Sequence, residues 1–220
     1  VESSNELRGE AYIIFGDESL ASVKLEDADK NGVIDSFDSD PGGGIWITGA
    51  DTRDRLGDRV SFAGDVNGDG YDDVMISSRL STSNNTDITA RSQGQIYILF
   101  GGDDVLTDKL SLKDSDNKGM VDALENGGGI TITGGSSSDR IGELSSAGDL
   151  NGDGFDDLIF SSSQVNLNGG DYEGAAYVIY GRDFELSNDI DLDGTGTIDG
   201  DNLVGSSGDD TINGLGGADS

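Results

Sequence analysis

The 220-residue sequence has no cysteine and no histidine, one proline and one tryptophan. Without cysteine there are no disulfides, no thiolate metal sites and no thiol nucleophile; without histidine the usual general base and the commonest transition-metal ligand are missing. No acid pair stands apart in an apolar setting, and no nucleophile and base offer themselves together, so an enzyme is not expected. Basic residues are scarce too, with 13 Lys and Arg against 44 Asp and Glu, a formal charge of -31. Nucleic-acid backbones and anionic membrane surfaces select basic patches, which excludes both as partners. A charge this one-sided repels itself, and the 33% of hydrophobic residues promise only a modest core to oppose it. Bound cations are therefore expected. Long apolar runs are absent: Ala11 to Phe15 and Ile96 to Phe100 are strand-length, far short of the roughly 20 residues of a bilayer-spanning helix, so direct membrane insertion is not expected. No secretion leader is legible, and the start at Val1 is expected of an excised fragment.

What is abundant is glycine, 36 residues of it, alternating with short apolar runs in the manner of a turn-rich all-β chain. One strand sequence occurs three times, as Gly9-Glu-Ala-Tyr-Ile-Ile-Phe-Gly16, Gly94-Gln-Ile-Tyr-Ile-Leu-Phe-Gly101 and Gly174-Ala-Ala-Tyr-Val-Ile-Tyr-Gly181. A longer block, Gly44 to Ser78, returns at Gly129 to Ser162 with one deletion. These repeats divide the chain into one β domain over 1–182, with repeats at about 9–93 and 94–181, and an Asp/Gly-rich tail over 183–220. Strands are expected at Tyr12 to Phe15, Ile45 to Thr48, Val60 to Ala63 and Val74 to Ser77, then at Tyr97 to Phe100, Ile130 to Thr133, Leu144 to Ala147, Leu158 to Ser161 and Tyr177 to Tyr180. No 3.6-residue apolar period lasts three turns, so almost no helix is expected.

The loops carry the chemistry. Asp65, Asn67, Asp69 and Asp73 place oxygen side chains at positions 1, 3, 5 and 9 of a Gly-rich loop, with the Tyr71 carbonyl at position 7. That is the donor schedule of a hard-cation loop, and for calcium in particular. Asp149, Asn151, Asp153, Phe155 (by its carbonyl) and Asp157 repeat it. Two further loops are less regular. Asp27, Asp29, Asn31, Val33 (carbonyl) and Asp35, with Asp38 in twelfth place, keep the spacing. Asp114, Asp116 and Asp122, with Glu125 in twelfth place, have Lys118 where the first loop has Asn31, and a Lys cannot ligate. Between Asp51 and Arg59 three of the thirteen basic residues gather, where the second repeat has Ser136 to Ser138 and Arg140. Arg53, Asp54 and Arg55, with Trp46 in place of Thr131, are thus candidates for contact with a ligand.

The Tyr-Ile-Ile-Phe-Gly strand type, the Asp54-Arg-Leu-Gly57 and Asp139-Arg-Ile-Gly142 turns, and Ala63-Gly64-Asp65 and Ala147-Gly148-Asp149 with the loops after them resemble the FG-GAP family of calcium-bearing propellers, over about residues 9 to 181. The resemblance implies one calcium cage at Asp65, Asn67, Asp69, Tyr71 and Asp73 and another at Asp149, Asn151, Asp153, Phe155 and Asp157. Propellers close with typically four to eight blades, and two repeats make no ring. The expected fold is therefore an all-β, calcium-rich sandwich of antiparallel sheets with pseudo-twofold symmetry, an open two-blade propeller fragment being the alternative. The tail segments Gly205 to Asn213 and Gly214 to Asp219 resemble the calcium-binding nonapeptide of RTX proteins. Together the resemblances imply a monomeric module of a secreted bacterial RTX adhesin at the cell surface, of the biofilm-forming kind. Its expected ligand is a cell-surface protein or peptide terminus, with carbohydrate second, and a structural spacer without ligand is the alternative.

Overall fold

The computed structural model describes residues 9–16, 25, 43–50, 54–81, 93–102, 109–113, 121, 123–124, 127–135, 139–164, 174–184 and 189–191. They form eleven strands and no α-helix: β1 Glu10–Ile14, β2 Gly44–Thr48, β3 Leu56–Gly64, β4 Asp73–Ser78, β5 Gln95–Leu99, β6 Lys109–Ser111, β7 Gly129–Thr133, β8 Glu143–Gly148, β9 Asp157–Ser162, β10 Ala175–Ile179 and β11 Asp189–Asp191. All nine expected strands are present. The two that the sequence did not announce, β6 and β11, are three residues long and pair parallel to β2 and β7, whereas every other pairing is antiparallel.

The strands make three sheets, in the orders β1-β2-β6, β11-β7-β5-β4-β3 and β10-β9-β8, none closed into a barrel. The central sheet is covered on both faces. Ile76, Tyr97 and Leu99 meet Ala11, Ile45, Ile47 and Leu110 of the first sheet in one core. Met75, Ile96, Ile98, Ile130 and Ile132 meet Leu158 and Phe160 of the third sheet in the other, with Tyr177 stacked on Phe160 at 5.2 Å between ring centroids. This explains the apolar run Ile96 to Leu99, buried at every position, since a strand buried on both faces has no polar side to alternate with. In the outer layer β10 the same strand type alternates between partly buried and exposed residues.

The packed face-to-face sheets are the expected ones, and they form three layers instead of two. The three copies of the Tyr-Ile-Ile-Phe strand lie one in each layer, as β1, β5 and β10. Successive layers are therefore related by one repeated step, front to back, where the expected pseudo-twofold would have apposed like faces. The step is visible at its joints. Gly9, at positive φ, lies against the Leu56 backbone, and Gly94 lies in the same way against Ile141, each so close that a Cβ would clash. Among the described residues the first sheet has no counterpart of β3 and β4, and the third sheet has none of β7.

Core depth sets the expected stability effects. Ile98→Ala, at a fully buried position between layers, is expected to cost about 2–5 kcal/mol in urea unfolding. Phe62→Ser, at a position 74% exposed on the outer strand β3, is expected to change stability by less than about 0.5 kcal/mol.

Candidate functional site

The loops from β3 to β4 and from β8 to β9 are the same structure twice. The Asp65 carboxylate sits inside its loop, accepting from Gly68 N–H at 2.8 Å, Asp69 N–H at 3.0 Å and Gly70 N–H at 3.0 Å. Asn67 Oδ1 accepts from Asp69 N–H at 3.1 Å, Asp69 Oδ1 from Tyr71 N–H at 2.9 Å, and the Asn67 amide donates to Asp69 Oδ2 at 2.9 Å. Asp149, Asn151 and Asp153 hold Gly152, Gly154 and Phe155 through the same set of bonds. The local cause is chemical: Asp and Asn side chains capture backbone N–H groups a few residues ahead, and the glycines between them supply the positive φ that so tight a curl needs.

The ninth-position acids behave differently. Asp73 and Asp157 are fully buried at the first residues of β4 and β9. Asp73 accepts from Val66 N–H and from Gly101 N–H, both at 2.9 Å; Asp157 accepts from Leu150 N–H at 2.7 Å and Gly181 N–H at 3.0 Å. Each carboxylate so ties the start of its loop to the chain just beyond the adjoining strand, β5 or β10. Burial pushes Asp73 up to about 6; the amides of Gly101 and Val66 oppose that rise, and the charges of Asp69 and Asp65 add to it.

The two loops also grip each other. Asp65 N–H donates to Asp156 Oδ2 at 3.0 Å, Asp156 N–H donates to the Asp65 carbonyl at 2.9 Å, and Arg182 N–H donates to the Val66 carbonyl at 2.9 Å. Asp156 was no candidate on sequence grounds. The doubled acids Asp72-Asp73 and Asp156-Asp157 were the available signal, but their division into an outward grip and an inward clamp depends on which side of the strand each faces.

Among the described residues no three acids converge into a closed cage, and the loop oxygens face N–H groups. The donor set nevertheless fits a hard cation in kind: carboxylates, an amide oxygen and a backbone carbonyl within nine residues. Asp65 Oδ1 and Asp149 Oδ1 each hold two N–H groups, while Asp65 Oδ2, Asp149 Oδ2 and the Asp69 and Asp153 oxygens hold one apiece and keep a lone pair. The loops of Asp27, Asp29, Asn31, Val33, Asp35 and Asp38, and of Asp114, Asp116, Asp122 and Glu125, lie outside the described residues, as do Arg53 and residues 192–220 of the tail.

Of the remaining ligand candidates, Trp46 is on β2, half-buried, with Lys109 Nζ 4.9 Å above its ring, so that one ring face is covered by an ammonium group. Asp54 is nearly buried in the turn before β3, its carbonyl accepting from the Ser78 hydroxyl at 2.8 Å. Arg55 next to it is exposed, with φ 58; Arg140 in the second repeat has φ 50, so this backbone shape belongs to the turn in both copies. Arg59 makes a two-pronged pair with Glu143, 2.9 Å on each prong, from β3 to β8 across the layers.

The FG-GAP repeat model matches residues 56–99 and 142–179. Those two segments of the chain are similar to the FG-GAP repeat. Each matched FG-GAP segment begins at the Asp-Arg-Xaa-Gly turn, runs through the Asp-rich loop and ends with the third strand, β5 or β10. Each matched segment is therefore three consecutive strands, β3-β4-β5 or β8-β9-β10, and the strand beside β5 in the central sheet, β7, comes from the chain between the matches. Comparison with curated proteins gives no match.

Two outcomes follow for the loops. Asp157→Ala leaves the Leu150 and Gly181 amides without their acceptor and is expected to cost about 1–3 kcal/mol in urea unfolding; Asp157→Asn, which retains one acceptor oxygen, is expected to cost less. Gly64→Ala and Gly148→Ala share the same unfavourable positive φ, but only at Gly64 does the new Cβ strike the Asp156 carboxylate. The first is expected to be the more damaging by roughly 1 kcal/mol, and equal losses would show that the grip between loops contributes nothing.

Proposed function

We propose that the chain is a calcium-dependent ligand-binding module of a secreted bacterial RTX adhesin, taking a peptide or protein carboxylate on a cell surface, with a glycan as the second class of ligand. The observation that carries the calcium reading is the duplicated loop: Asp65, Asn67 and Asp69, and Asp149, Asn151 and Asp153, curl the backbone around exposed oxygen donors in one and the same way. Four acids on nine residues, in a chain of formal charge -31, repel one another unless a divalent ion lies among them, and an ion that binds the folded state stabilises it by mass action. A calcium held in a surface loop keeps coordination positions for a partner's oxygen. The exposed Arg55 stands at the other end of β3 from the Asp65 loop and is a cation for a different anionic group of the same extended ligand.

A second reading, a calcium-rigidified spacer without ligand, is favoured by the Asp73 and Asp157 clamps, which join loop to strand and touch nothing outside the fold. Calorimetry with peptides bearing free or amidated C-termini separates the two. The ligand-binding reading expects affinity for the free form that disappears with chelator, weakens on amidation and weakens in Arg55→Ala. Peptides and glycans that all fail to bind, in a chain whose melting temperature still rises by several degrees with calcium, would establish the spacer.

A further inference from the structure

Each Asp-rich loop carries an Asn-Gly pair, Asn67-Gly68 and Asn151-Gly152, and such a pair has a reaction of its own. The glycine nitrogen, with no side chain beside it to hinder its approach, can attack the side-chain carbonyl carbon of the preceding Asn. A bond forms between Gly N and Asn Cγ, the bond from Cγ to Nδ2 breaks, and the amide nitrogen leaves as ammonia with the proton that the glycine N–H gives up. Water then adds across one or the other C–N bond of the cyclic imide, leaving Asp or isoaspartate where Asn stood. This lability is one reason Asn is scarce in proteins that work hot.

In both loops the atoms this reaction needs are engaged elsewhere. Gly68 N–H donates to Asp65 Oδ1 at 2.8 Å, and Gly152 N–H to Asp149 Oδ1 at 2.7 Å. Asn67 Oδ1 accepts from Asp69 N–H and Asn151 Oδ1 from Asp153 N–H, both at 3.1 Å. The leaving nitrogen, Nδ2, donates to Asp69 Oδ2 at 2.9 Å in one loop and to Asp153 Oδ2 at 2.7 Å in the other. A nitrogen whose proton is held by a carboxylate does not turn onto the neighbouring side chain until that charge-assisted bond breaks. In the first loop Gly68 also lies under the Phe155 ring, so closely that a Cβ would clash, and turning this peptide moves the ring as well. The bonds within each loop join residues two to five apart, so a loop opens by itself while the layers stay together.

We infer that Asn67 and Asn151 are modification sites latched by Asp65 and Asp149: the closed loop preserves the Asn side chain, and an open loop converts it to Asp or isoaspartate with loss of ammonia. The conversion runs one way. Its product has no Nδ2–H to donate and sets a carboxylate against Asp69 Oδ2 or Asp153 Oδ2, so a modified loop does not close on the same bonds. Isoaspartate also carries the backbone through the former side chain, which lengthens the loop and shifts every acceptor after it. Each loop thus keeps a chemical record of how often it has opened. The inference stands on these hydrogen bonds and goes beyond the ligand-binding reading, since no ion and no ligand enters the reaction.

The test incubates the full 220-residue chain at mildly alkaline pH with chelator, below the melting temperature it has there, and follows Asn67 and Asn151 by peptide mass spectrometry. The same chain in urea gives the rate of the open loop. In the folded chain both residues are expected to convert at least about tenfold more slowly than in urea, since one charge-assisted hydrogen bond lowers the open population by that much. Asp65→Ala is expected to bring Asn67 close to the urea rate while Asn151 stays slow, and Asp149→Ala to do the reverse, so that each loop reports whether the variant is still folded. Folded-chain rates equal to those in urea would overturn the latch, as would an Asn67 that stays slow in Asp65→Ala. Acceleration of both residues by the same factor in either variant would show that the fold as a whole protects them, and would overturn it too.

Discussion

A buried carboxylate at the head of a strand is the constraint on which the rest of the molecule depends. Asp73 and Asp157 each stand fully buried with one oxygen on the start of their own loop and the other on the chain leaving the neighbouring strand. A buried acid with both oxygens occupied by N–H groups cannot slide without leaving several polar atoms unpaired, a cost that low-dielectric surroundings enlarge. The clamp therefore sets the shape of the Asp-rich loop, and the loop shape sets where Asp65 presents its N–H and carbonyl to Asp156 in the next layer. The loop acids Asp69 and Asp153, which face outward from this arrangement, are the ones proposed to meet an ion.

Much of the fold was legible because the repeats announce it. Three copies of one strand and two of one loop place β1, β5 and β10 and the two Asp-rich loops within a few residues of where they lie. What the sequence could not express was contact between segments far apart in the chain. The strands β6 and β11 are three residues long and exist only as parallel additions to β2 and β7, so nothing local marks them. The front-to-back step between layers was equally hidden, since Ile96 and Ile98 face one way and Tyr97 and Leu99 the other, and only the assembled core tells which layer meets which face.

The candidate site was legible in composition and less so in roles. Asp65, Asn67 and Asp69 were recognisable from spacing, and the structure gives them a loop curled about their own oxygens. Asp73, expected beside them as one more donor, is buried and forms the clamp. Asp156, adjacent to Asp157 and identical in chemistry, points across to the other loop. Alternation along a strand separates the two roles, and a list of acids does not. Trp46 and Asp54 show the same limit: the first is covered by Lys109 and the second is turned into the fold, which leaves Arg55 as the exposed member of that group among the described residues.

The central claim is that the two buried carboxylates hold each loop to its layer, and backbone amide exchange measures this at the four N–H groups involved. Val66, Gly101, Leu150 and Gly181 are expected to exchange slowly and as a group, at rates set by the opening of the layers, while Gly68 and Gly152 at the loop tips exchange faster. Exchange at Val66 and Leu150 as fast as at the loop tips would show that Asp73 and Asp157 do not hold the loops, and would contradict the account.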